Sequence, residues 1–138
     1  MRKNRAFTLI ELMVVILILA ILAALVVPNV LNKTGKAKVS KAQADLATLR
    51  DAIDQFRIDC DRYPTTQEGF DALTSPPSGV KGWNGPYLSK GLTADPWGNP
   101  YIYQNPGPSG TGYEVESYGA DGAPGGEGDN ADIMDGAN

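Results

Sequence analysis

Two stretches of this 138-residue chain concentrate side chains able to do chemistry. The first surrounds Glu11, the sole ionisable side chain between Ala6 and Asn32. It stands four residues after Phe7, where a run of Leu, Ile, Val and Ala begins. A carboxylate at membrane depth costs ~2–3 kcal/mol on insertion scales unless it meets a cation, and the apolar run holds no Lys or Arg. Were the chain cut before Phe7, an α-amino group would appear near Glu11, and the same amine on a neighbouring chain could supply the missing charge. A lone acid would then set the register between subunits. The second stretch is C-terminal. From Gln104 onward there is no Lys or Arg, while Glu114, Glu116, Asp121, Glu127, Asp129, Asp132 and Asp135 are all acidic. Such a Gly-rich acidic segment either remains a solvated tail or is gathered by a cation. Ca²⁺ suits it, taking about six to eight oxygens in flexible geometry, with glycines letting carbonyls turn inward. The spacing is not that of an EF-hand, and a single Gly125-Gly126-Glu127-Gly128 copy does not make a β-roll.

Composition removes other classes. The chain has 12 Lys or Arg against 16 Asp or Glu, a net charge of −4, no His and one Cys. Zn–His sites and His-assisted nucleophiles are therefore absent, and no internal disulfide is available. A mildly acidic chain also argues against a nucleic-acid partner. Glu114 and Glu116 share a strand face at period two, which a solvated face explains without catalysis.

The elements that position the two stretches follow from patterning. Arg2, Lys3 and Arg5 form a basic head, and Phe7 to Val27 is long enough as a helix to cross a hydrocarbon core of ~30 Å. The basic head places the N-terminus in the cytoplasm, although Lys33, Lys36, Lys38 and Lys41 beyond the span reduce the asymmetry. A secretory signal peptide cut near Ala23 or Ala24 is the competing reading, but its apolar region is ordinarily only ~7–15 residues long. Pro28 must kink or loosen a continuing helix.

Val39, Ala42, Leu46, Leu49, Ile53, Phe56 and Cys60 then recur every three or four residues. They predict an amphipathic continuation over 30–62, with Asp45, Arg50, Asp51, Asp54 and Arg57 away from the stripe. Cys60 reads as a small core residue. Tyr63-Pro64 ends the helix, and Thr65-Thr66-Gln67-Glu68 has capping-box spacing that opens a short helix through about Leu73. A Pro- and Gly-dense loop over 75–100 is anchored by Trp83, Tyr87 and Trp97. Residues 101–103 and 113–118 read as a β-hairpin. The expected fold is α+β: a long N-terminal helix, with a membrane-spanning half and an amphipathic half, packed on a small antiparallel sheet with an irregular C-terminal Ca²⁺-binding loop.

The junction Ala6-Phe7-Thr8-Leu9-Ile10-Glu11, between a basic leader and an apolar helix containing Pro28, resembles the type IV filament superfamily. Tyr63-Pro64-Thr65-Thr66, Gly85-Pro86-Tyr87-Leu88, Asp95-Pro96-Trp97-Gly98-Asn99-Pro100-Tyr101 and Gly119-Ala120-Asp121-Gly122 look like the major pseudopilins of type II secretion systems, in that order and over nearly the whole chain. The resemblance implies cleavage of leader 1–6 by the prepilin peptidase between Ala6 and Phe7, and N-methylation of Phe7. Ala6 stands where that family usually has Gly.

The resemblance further implies assembly through Glu11, Phe7 and Pro28 in helix 7–29, and a periplasmic head over 63–138. It implies a Ca²⁺ site using Asp121 and Asp132 side chains and the Tyr118 carbonyl, with Asp129 or Asn130 as a further ligand. The implied product is a single-pass inner-membrane subunit of a periplasmic filament that drives export of folded proteins. Its partners would be copies of itself, minor pseudopilins, the prepilin peptidase and the inner-membrane assembly platform. The alternatives are a type IVa pilin-like fibre subunit, which usually closes its C-terminal loop with a disulfide, and a soluble secreted Ca²⁺-binding module.

Overall fold

The computed structural model describes residues 7–89, 92 and 94–137, and over 26–33 it describes the backbone alone. The chain divides into two compact units between Gly35 and Lys36. Helix α1 (Leu9–Cys60) enters both.

In the first unit α1 begins behind Thr8, whose Oγ1 accepts the Glu11 backbone N–H at 3.2 Å. Thr8-Leu9-Ile10-Glu11 is thus an N-terminal cap with the spacing of a capping box. All described side chains from Phe7 to Leu25 are exposed. The backbone stays helical through Pro28. Among the described residues no helix is long and apolar enough to cross a membrane. The apolar side chains described over 9–25 account for roughly 25 Å at the helical rise, short of a ~30 Å core, and the expected span continues where only backbone is described.

In the second unit the three-to-four periodicity of α1 does what it predicts. Ala42, Leu46, Leu49, Ile53 and Phe56 are buried, with Val39 and Cys60 half-buried at the two ends of the stripe. Leu46, Leu49, Ile53 and Phe56 pack with Ala72 and Leu73 from the short helix α2 (Asp71–Thr74), with Leu88, and with Tyr101, Tyr103, Tyr113 and Val115. Fully burying a Leu, Ile or Phe side chain contributes ~1.5–3 kcal/mol. Asp45 departs from the expected polar face. It is 9% exposed, accepting the Tyr101 hydroxyl at 3.0 Å and the Lys41 ammonium at 2.7 Å.

The sheet has order β1 (Ile102–Gln104), β2 (Tyr113–Ser117), β3 (Ile133–Ala137), with both pairings antiparallel. The predicted hairpin is β1–β2. The third strand was not expected: it pairs Tyr113 with Ala137 through Ser117 with Ile133, and its Asp135 reaches Arg50 of α1 at 3.2 Å.

Three local expectations are corrected. The Thr65–Glu68 capping box forms in both directions, at 2.8 and 3.2 Å, but turns follow and α2 starts only at Asp71. Gly69 takes φ +51, a left-handed backbone that ends helical propagation. Trp83 and Tyr87 pack on the core cluster as anchors, whereas Trp97 is half-buried and stands apart from it. Glu116 is 8% exposed, so its strand face is not simply solvated.

Candidate functional site

At the N-terminal junction, Phe7 is 81% exposed and precedes the Thr8 cap. Glu11 lies in the first helical turn with its side chain open to surroundings. A carboxylate in a first turn is favoured by the partial positive charge of the helix start. Ala6 and the leader lie outside the described residues, and Pro28 is described by its helical backbone alone. The role of Thr8 was missed in the sequence reading, although its three-residue offset from Glu11 carries the signal.

The C-terminal loop runs from β2 to β3 through two 3-10 turns, Gly119–Asp121 and Gly128–Asn130. Tyr118 stands before the first turn, and Asp129 and Asn130 lie within the second. The close approach of the turns depends on Gly119, at φ +67. A Cβ there would lie 2.8 Å from the Asp129 carbonyl oxygen and 2.9 Å from that of Ala131. The Asp121 carboxylate accepts the Ala123 N–H at 3.1 Å. Asp132 Oδ2 accepts the Gly125 N–H at 2.8 Å, while its Oδ1 is buried with no hydrogen-bond partner among the described residues. Among the described residues no three His, Cys, Asp or Glu side chains converge to hold a metal. Asp121, Asp129 and Asp132 therefore share a loop but are not gathered into one carboxylate cluster, and a cation there would also need backbone oxygens. Beside the loop, burial raises the Glu116 carboxyl, with the Glu114 and Asp132 charges adding to the effect and a Tyr118 hydrogen bond opposing it.

Residues 29–136 match the family model for type II secretion system protein G. The chain belongs to that family. Residues 1–27 match the prokaryotic N-terminal methylation motif. The type II secretion system core protein G of Pseudomonas aeruginosa is 47% identical over 135 residues, covering 96% of this chain and 94% of the relative. That of Vibrio cholerae is 48% identical over 136 residues, covering 96% and 92%. Among solved structures, the major pseudopilin from the type 2 secretion system of enterohaemorrhagic Escherichia coli is 34% identical. It superposes with a TM-score of 0.62 over 74% of this chain and 85% of the other. The helix-on-sheet head of the protein G family is thus the fold adopted here, and the sequence expectation of this family is met.

Proposed function

We propose that this chain is the major structural subunit of a type II secretion pseudopilus, a filament component and not an enzyme. One observation carries the reading: the apolar side chains from Phe7 to Leu25 are exposed in the single chain, directly behind a junction that matches the methylation motif. Apolar surface of that extent is stable only against lipid or other apolar helices. The same segment therefore anchors the precursor in the inner membrane, with its head in the periplasm, and packs among its copies in the filament. Leader removal exposes the Phe7 amine, which Glu11 of an adjoining copy neutralises where an unpaired charge is costly. Pro28 supplies the place where the helix loosens on assembly. The prepilin peptidase, the assembly platform and minor pseudopilins are the implied partners.

Ca²⁺ is the second part of the reading. It is supported by the buried Oδ1 of Asp132, which has no partner among the described residues, since a buried polar atom without a partner is costly. Asp132, Asp121, the Tyr118 carbonyl and Asp129 or Asn130 would hold the ion. When bound, it would offset the clustered negative charge and tie the two turns together.

The mature N-terminus tests the proposal. Mass spectrometry of the membrane fraction should find a chain starting at N-methylated Phe7. A start near Ala24 or Leu25 would overturn the filament reading in favour of a secreted module.

A further inference from the structure

The loop is not free-standing; it is moulded by the turn Asp95–Asn99. That turn closes on itself, with the Asp95 N–H donating to the Asn99 carbonyl at 2.8 Å and the Gly98 N–H to the Asp95 carbonyl at 3.0 Å. Asp95 is 5% exposed. Its Oδ1 accepts the Trp97 and Asn99 backbone N–H groups at 3.0 and 2.8 Å. Its Oδ2 accepts the hydroxyl of the fully buried Ser117 at 2.6 Å. The Ser117 Oγ in turn accepts the Gly119 N–H at 3.2 Å, and the Asn99 side-chain amide donates to the Gly119 carbonyl at 2.7 Å. Both polar groups of Gly119 are thereby held.

Peptide geometry gives this a consequence. The Gly119 N–H and the Tyr118 carbonyl belong to one planar trans unit and point in opposite directions. Fixing the N–H on Ser117 therefore fixes the direction of the Tyr118 carbonyl, the backbone oxygen assigned to the ion. The Asn99 bond fixes the next peptide plane. Both act at a residue whose left-handed φ brings it under Asp129 and Ala131.

We infer that Asp95, acting through Ser117, and Asn99 are positioning residues for a calcium site in the C-terminal loop. They aim the Tyr118 carbonyl and hold the first 3-10 turn against the second. The inference rests on the calcium reading above. Outer partners of this kind ordinarily change metal affinity by about 10–100-fold when removed.

The test is calcium titration by calorimetry of the detergent-solubilised full chain, with melting measured in chelator alongside. Ser117→Ala and Asn99→Ala should each weaken Ca²⁺ binding about tenfold or more. Thr66→Ala, which loses its bonds to Asn105 away from the loop, should lower the melting temperature without changing affinity. Should Ser117→Ala be too unstable to titrate, Asn99→Ala, at a half-buried position, decides the matter. Wild-type binding with unchanged affinity in Asn99→Ala and any titratable Ser117→Ala would overturn this inference alone. A wild-type chain that binds no calcium would overturn the site reading and this one together.

Discussion

Glu68 shows how a single side chain makes the head pH-sensitive. The Arg62 guanidinium grips its carboxylate through two bonds of 2.7 Å. That contact, helped by the Thr65 backbone N–H and opposed by burial, pushes the carboxyl from 4.5 down to about 2. A depressed acid stabilises the fold above its unfolded value and loses that contribution as pH falls from about 4.5 towards 2. Glu68→Gln should therefore be less stable than wild type at neutral pH by about 1 kcal/mol. The two melting curves should converge towards pH 2, and a gap independent of pH would refute the assignment. This pair was half legible in the sequence: Thr65 and Glu68 have capping-box spacing, whereas the Arg62 contact required the chain to turn back. Asp45 was not legible at all, because the hydroxyl that makes its burial tolerable belongs to Tyr101, far along the chain.

Among the elements, the buried stripe of α1 was read correctly because a helix repeats every 3.6 residues and the stripe keeps that period over several turns. Strand β3 escaped because Ile133-Met134-Asp135-Gly136-Ala137 has little intrinsic strand character. Its extended form comes from the ladder with β2 and from Asp135 reaching Arg50. The candidate site shows the same divide. Its acidic residues stood out in the sequence, but the Asp95–Ser117–Asn99 support joins distant segments and left only a turn signature. Calcium should therefore act on the element linking β2 to β3. Adding a chelator should lower the melting temperature, by the equivalent of about 2.7 kcal/mol when calcium had been at a hundred times its Kd, and should speed proteolysis within 118–135. Superimposable melting and digestion with and without chelator would remove the metal from the account.

At the scale of the whole molecule, the chain pairs an unsatisfied apolar segment with a head that already has its own core. Assembly should then depend on the charge of Glu11, separately from helix formation. Glu11→Gln keeps a side chain that suits the capping position after Thr8 but carries no charge, and Glu11→Leu removes both. Both variants should insert into the membrane while forming at most about a tenth as much filament, on the order expected when a charge pair worth ~1.4 kcal/mol or more is lost. Electron microscopy and cross-linking of membrane fractions measure this, and abundant filaments from Glu11→Gln would leave capping as its sole role.

The central place of β2 between two neighbours also bears on synthesis. A ribosome must read through codon 137 before β2 gains its second neighbour and Arg50 finds Asp135. Prematurely stopped products would present a bare sheet edge, prone to sticking and to digestion. The fold thus makes translation through β3 a condition of a closed sheet.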